Sequence, residues 1–161
     1  MEIPGKKTNI QSTANKEMIY NLWYGMNNQL KYIIVDDDPT NNMICKMTLK
    51  NTLGEVDMKI FTAPEEGLLF IKNNFNRNSE HTILFLDLNM PTLTGWQFLE
   101  QYKDFSEEVK MQINIYLLSS SIDKRDWDES KKNKYVKGFL VKPMYRETIL
   151  SIAGKEFQSI I

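Results

Sequence analysis

Asp36, Asp37 and Asp38 stand in a row directly after the apolar run Tyr32-Ile33-Ile34-Val35. Asp87 follows Ile83-Leu84-Phe85-Leu86 in the same way, Ser119-Ser120-Ser121 follow the run Ile113 to Leu118, and Lys142-Pro143 follow Gly138 to Val141. Acids, hydroxyls and one ammonium thus each close an apolar segment. If Asp36, Asp37 and Asp87 were brought together they would repel one another, and such a cluster persists where a cation neutralises it. Carboxylate and carbonyl oxygens are hard ligands and suit Mg²⁺, which takes few protein ligands and keeps waters. A carboxylate can also attack a phosphoryl group and form an acyl phosphate. The metal and a nearby cation would then spread the transferred charge. On this chemistry Asp87 is the nucleophile, Asp36 and Asp37 bind metal, Lys142 is the cation, and the Ser119 hydroxyl donates to a phosphoryl oxygen. Asp38 is expected only to cap a helix.

These groups meet only if the apolar runs are neighbouring strands that point the same way. Tyr32 to Val35, Ile83 to Leu86, Ile113 to Leu118 and Gly138 to Val141 are short and predominantly apolar, as strands buried on both faces are, and Val56 to Phe61 reads as a further strand. Helical segments fit between them. Pro39 suits the first turn of a helix that Gly54 stops after Leu53, with Met43, Ile44 and Met47 on one of its faces. Pro64 opens a second, carrying Leu68, Leu69 and Ile71. Gly95 precedes a third, with Phe98, Leu99 and Tyr102. Asp123 caps a charged, exposed one through Lys131. The last runs from about Tyr145 to Phe157, with Ile149, Ile152 and Ala153 facing in. Five β-α alternations predict an α/β protein with a five-stranded parallel, doubly wound sheet and helices on both faces. In such sheets ligands sit outside the carboxyl ends of the strands, where all the groups above lie.

The bulk properties narrow the alternatives. The 161 residues suit one domain with a short extension, 42% of them are hydrophobic, and 20 basic against 21 acidic residues leave a formal net charge of -1. That balance gives no broad basic surface, so nucleic acid is not an expected partner. No stretch reaches the roughly 20 apolar residues a membrane helix needs, and Thr8 to Lys16 is polar where a signal peptide is apolar. The single cysteine, Cys45, excludes an internal disulfide and reads as a small apolar helix residue. A cytoplasmic location is expected. Residues 1–29, rich in Asn, Lys, Thr and Gln, read as a flexible or cloning-derived extension ahead of a domain at 30–161. A short docking turn around Met18, Ile19, Leu22 and Trp23 is the alternative reading.

Val35-Asp36-Asp37, Leu86-Asp87-Leu88-Asn89-Met90-Pro91 with Gly95, Leu118-Ser119, and Phe139-Leu140-Val141-Lys142-Pro143 occur in that order and at strand ends. Together they resemble the receiver domain of two-component response regulators, the CheY-like family, across roughly Lys31 to Phe157. The resemblance implies a flavodoxin-like strand order 2-1-3-4-5. It implies that Asp87 accepts a phosphoryl group, and that Asp37, Asp87 and the backbone carbonyl of Asn89 ligate Mg²⁺ while Asp36 acts mainly through metal-bound water. Ser119 would be the switch hydroxyl and Phe139 the switch aromatic. Lys142 would pair with Asp87 before phosphorylation and with the phosphoryl group after it. The implied partners are a sensor histidine kinase or histidine phosphotransfer protein as donor, and a downstream protein target. With no output domain expected after Phe157, a single-domain response regulator is implied.

Two other readings use the same residues. A phosphohydrolase of the haloacid dehalogenase type also has an Asp nucleophile, Mg²⁺, a hydroxyl and a Lys. It needs an acid two residues after the nucleophile, where Asn89 stands. A receiver-like binding module that is not phosphorylated is the other, against which stands the complete acceptor set. His81 begins a strand, at the end opposite the acids, and is assigned no chemistry.

Overall fold

A computed structural model describes residues 30–75 and 81–158. The extension at 1–29, residues 76–80 and residues 159–161 lie outside the described residues. The elements run β1 (Leu30–Val35), α1 (Pro39–Leu53), β2 (Met58–Phe61), α2 (Pro64–Asn74), β3 (His81–Asp87), α3 (Gly95–Tyr102), α4 (Glu107–Gln112), β4 (Ile113–Ser119), α5 (Lys124–Lys132), β5 (Val136–Val141) and α6 (Arg146–Gln158). The strands form one parallel sheet in the order β2-β1-β3-β4-β5, the order the resemblance implied.

The period of two along each central strand divides the core between the two faces of the sheet. Ile33, Val35, Leu84, Leu86, Ile115 and Leu117 pack under α2, α3 and α4, with Leu68, Ile71, Phe98, Leu99, Tyr102 and Val109. Tyr32, Ile34, Ile83, Phe85, Tyr116 and Leu118 pack under α1 and α6, with Cys45, Leu49, Ile149, Ile152 and Ala153. The middles of the central strands, Tyr32 to Val35, Ile83 to Leu86 and Ile115 to Leu118, are therefore apolar without alternation because both faces are covered. Each fully buried Leu or Ile contributes roughly 1.5–3 kcal/mol of transfer free energy.

The caps follow the sequence signals. Asp38 accepts from the Thr40 N–H at 2.7 Å and Pro39 opens α1. Thr94 and Gln97 form a reciprocal capping box at the start of α3. Two expectations differ. Residues 107–112 form a helix, too short for a hydrophobic period, started by Ser106 with Glu107 and Glu108 in its first turn. Met43, Ile44 and Met47 share a face as expected, but that face is exposed. The buried side of α1 is Asn42, Cys45, Leu49 and Leu53, and its first member is polar because the Asn42 amide donates to the Asp36 carbonyl at 2.6 Å. Among the described residues no helix is long and apolar enough to cross a membrane.

Candidate functional site

Sheet register brings the polar strand ends to one edge. Val35 pairs with Leu86, Asp87 with Leu118, and Ser119 with Val141. Beyond the strands the ladder continues: the Leu88 N–H reaches the Leu118 carbonyl at 2.9 Å, and the Lys142 N–H reaches the Ser119 carbonyl at 2.8 Å. Backbone hydrogen bonds thus fix how far each loop projects before its functional side chain appears. The Asp36 N–H is tied to the Phe61 carbonyl at 3.1 Å, which holds the acidic pair against β2.

The consequence is a tight constellation. Asp36, Asp37 and Asp87 each present a carboxylate oxygen within 4.8 Å of the others. Asp36 and Asp87 are buried, and Asp37 lies on the solvent side. The Lys142 ammonium bridges the two buried acids, binding Asp36 directly and Asp87 Oδ1 at 2.6 Å. Its link to Asp36 is one that sequence did not reveal. Asp36 also accepts from the Asp38 N–H at 3.0 Å, so its carboxylate is held on both sides. Asn89 follows in the exposed turn after Asp87.

Ser119 is fully buried, and its hydroxyl accepts from the Ser121 N–H at 3.2 Å. Among the described residues it makes no hydrogen bond to Asp87. Ser120 is exposed beside it. Phe139 is buried on β5 and meets the ring of Trp127 edge-on, with centroids 5.7 Å apart. Trp127 carries the Lys131 ammonium 4.7 Å from its ring centre on the other contact. Next to Trp127 in the chain, Asp126 accepts the indole N–H of Trp96 of α3 at 3.1 Å, linking α3 to α5. Cys45 is buried, and burial first, then the Asp36 charge, push its thiol up to about 12. It is inert at neutral pH. His81 pairs with Leu30 at the far end of the sheet.

The electrostatics follow from burial. Desolvation raises the Asp87 carboxyl above its ordinary range, and the hydrogen bond and charge of Lys142 pull it only part of the way back. Desolvation also works against the Lys142 ammonium, but Asp36 and Asp87 more than offset it and leave Lys142 raised. The signs set the linkage. A raised carboxyl favours the fold in acid, and that contribution is lost as pH climbs through the folded value. The raised lysine contributes through neutral pH and loses its contribution only above the ordinary lysine range. In metal-free protein, a carbon-detected NMR titration of the Asp87 carboxyl should therefore give a midpoint above the ~3.9 of a free aspartate. It should move further up in Lys142→Met. A midpoint at or below the free value would show that the ammonium outweighs burial.

The donor set fits a hard divalent ion: three carboxylates share one small space.

The family model described as response regulator receiver domain matches residues 32–153. Among solved structures, the chain is similar to a response regulator receiver protein from Dyadobacter fermentans DSM 18053, at 22% identity and a TM-score of 0.71, over 80% of this chain and 98% of that one. It is equally similar to a two-component response regulator from Cytophaga hutchinsonii, with 22% identity and a TM-score of 0.71, over 81% of this chain and 98% of that one. The chemotaxis protein CheY4 of Vibrio cholerae aligns at 23% identity and a TM-score of 0.63, over 79% of this chain and 98% of that one. At these identities the structural likenesses establish the fold. No curated protein matches the sequence significantly.

Proposed function

The chain belongs to the response regulator receiver family, and on that premise we propose that it takes a phosphoryl group from a partner's phosphohistidine onto Asp87, with Mg²⁺ held at the acids, and so switches a protein-binding face. The observation that carries this reading is the constellation itself: three carboxylates within 4.8 Å of one another, with one ammonium bridging the two that are buried. A structural ion pair needs one acid. A second and third acid around the same ammonium raise mutual repulsion for no gain in packing, and suit a site where positive charge and a phosphoryl group come and go.

Asp37, Asp87 and the Asn89 carbonyl would hold the ion directly, with Asp36 acting through its water. Bound there, Mg²⁺ supplies charge neutralisation for the phosphoryl oxygens and orients them toward the acceptor. An Asp87 oxygen attacks phosphorus, the P–N bond to the donor's imidazole breaks, and its electron pair leaves with the donor nitrogen. Lys142 exchanges its bond to Asp87 for one to a phosphoryl oxygen, and it needs to move little because it already lies at Asp87 Oδ1. The new group carries roughly -1.5 to -2 charges. Ser119 leaves the Ser121 N–H to donate to it, and Phe139, which has no hydroxyl, responds through packing. Trp127, against Phe139, passes that repacking to the outer surface of α5. This is a biased two-state element with one fold. The donor is a sensor histidine kinase or a histidine phosphotransfer protein, and the reader is a downstream protein.

The test separates stoichiometric acceptance from turnover. With acetyl phosphate and Mg²⁺, intact mass spectrometry should show the gain of a single phosphoryl group, abolished by chelator. Many equivalents of phosphate released from small phosphate esters would instead favour the hydrolase reading. Mg²⁺ binding with no phosphoryl gain would favour a binding module.

A further inference from the structure

Three carboxylates meet at the acidic site, but only two of them are held there by their own side-chain bonds. Asp36 accepts from Lys142 and from the Asp38 N–H, and Asp87 accepts from Lys142. Asp37 has no such tether. Among the described residues no hydrogen bond or ion pair reaches its carboxylate, although one of its oxygens lies within 4.8 Å of the other two acids. The place of Asp37 is therefore set through its backbone.

One residue grips that backbone on both sides of Asp37. The Asn42 side-chain amide donates to the Asp36 carbonyl at 2.6 Å, and the Asn42 backbone N–H donates to the Asp38 carbonyl at 3.0 Å. The Asp36 carbonyl and the Asp37 N–H belong to one planar peptide unit. With the Asp36 N–H already tied to the Phe61 carbonyl, the bond from Asn42 fixes the other end of residue 36 and so the direction in which Asp37 leaves it. Asn42 is otherwise badly suited to its surroundings. It is 4% exposed, it shares the buried stripe of Cys45, Leu49 and Leu53, and its Oδ1 has no partner. A leucine would remove that orphaned acceptor but would leave the Asp36 carbonyl without its donor, so packing alone gives the amide no advantage. Residues that break a local rule in this way concentrate where a fold carries function.

We propose that Asn42 is a positioning residue for the divalent ion: it aims Asp37 into the site through the Asp36 peptide. Without it Asp37 turns toward solvent, while Asp36, Asp87 and Lys142 keep their mutual bonds. The proposal rests on the metal reading of the acidic site and adds to it which residue outside the ligand set decides the ion's affinity and identity. Mg²⁺ demands near-ideal octahedral geometry, whereas Ca²⁺ accepts irregular arrangements of oxygens. A misaimed Asp37 is therefore felt by Mg²⁺ more than by Ca²⁺.

The test is calorimetric titration of the full chain with Mg²⁺ and with Ca²⁺, on wild type, Asn42→Leu, Asp37→Asn and the double variant. Asn42→Leu should weaken Mg²⁺ about tenfold or more, the scale on which residues that orient metal ligands act. Ca²⁺ should weaken by less than about threefold. In the Asp37→Asn background, Asn42→Leu should cost Mg²⁺ less than about twofold, because the ligand it aims is already gone. In metal-free NMR spectra of Asn42→Leu, the Asp37 amide nitrogen should shift with the loss of the bond to the preceding carbonyl, and the Leu88 and Lys142 amides should hold. Asn42→Ala carries the same predictions and adds no bulk, so it serves if leucine disturbs the fold. Unchanged Mg²⁺ affinity in Asn42→Leu and Asn42→Ala, an equal loss for both ions, or a full loss that persists beside Asp37→Asn would overturn the proposal and leave the metal site standing. Wild type that binds neither ion would overturn the metal reading and this proposal together.

Discussion

Lys142→Met is expected to lose about 3 kcal/mol of stability at neutral pH without metal, in urea unfolding followed by circular dichroism. The ammonium bridges two carboxylates whose side chains are 2% and 5% exposed. Breaking a buried pair by removing one partner typically costs about 3–5 kcal/mol, because the remaining charge keeps its desolvation penalty. Here two acids are left facing each other. At an effective dielectric near 20, charges ~4 Å apart repel by about 4 kcal/mol, which matches the roughly 4 kcal/mol that protonating one ordinary carboxyl costs at pH 7, and burial tips the balance toward protonation. One carboxyl will therefore take up a proton, and the deficit should shrink as pH falls toward 5. Millimolar Mg²⁺ should shrink it as well, by restoring positive charge among Asp36, Asp37 and Asp87. Phosphoryl acceptance should slow on the order of 100-fold even with Mg²⁺, the usual scale for losing one charge-stabilising donor. A loss below about 1 kcal/mol, or one indifferent to both pH and Mg²⁺, would show that the ammonium is not what holds these acids together.

Gly95→Ala should be as damaging without altering any chemical group. A Cβ at Gly95 would lie 2.7 Å from the Asp87 carbonyl oxygen and 3.0 Å from Leu88 Cα. Both neighbours are backbone at the end of β3, and they cannot rotate aside as a side chain can. Gly95 also donates its N–H to the Leu88 carbonyl at 2.9 Å, which presses the two segments together. Overpacking of this kind costs about 1–3 kcal/mol. Its more telling effect is on position. A displacement of about 1 Å at a reacting group can cost on the order of 100-fold in rate, and Asp87 is the residue that must shift. Gly154→Ala is the control. That position is inside α6 with nothing within 4 Å of the added carbon, so the change should stabilise by roughly 0.5–1 kcal/mol through helix propensity. Equal effects at the two glycines would refute the packing explanation.

How much of this was legible in the sequence depended on whether a signal was local. Ile33-Ile34-Val35 and Leu84-Phe85-Leu86 could be read as central strands because burial on both faces removes any need for polar alternation. Once the order of elements implied a parallel sheet, the carboxyl ends of the strands had to gather, and Asp36, Asp87, Ser119 and Lys142 came with them. Helix α1 was harder. Its burial spacing of Asn42, Cys45, Leu49 and Leu53 is a proper helical stripe, but it opens with a polar residue. The apolar Met43, Ile44 and Met47 therefore drew attention to the exposed side. Only the carbonyl of Asp36, reached from six residues away, explains why Asn42 belongs inside. Helix α4 left the local cap Ser106-Glu107-Glu108, and a six-residue helix offers nothing further to detect.

Partnerships across the fold had no sequence signal. Lys142 reaches Asp36, 106 residues earlier, and also Asp87. The rings of Trp127 and Phe139 meet because α5 lies over β5. The pair Trp96 and Asp126 joins two helices that the chain separates by a short helix and a strand. Such contacts are products of topology, and residue spacing alone does not contain them.

The claim on which all this rests is that Asp87 is the atom-level acceptor. The direct measurement is intact mass after incubation with acetyl phosphate and Mg²⁺, run side by side on wild type and Asp87→Asn. Wild type should gain a single phosphoryl mass, and Asp87→Asn, with its shape kept and its nucleophilic carboxylate gone, should gain none. The same gain in both proteins would place the acceptor elsewhere and contradict the account.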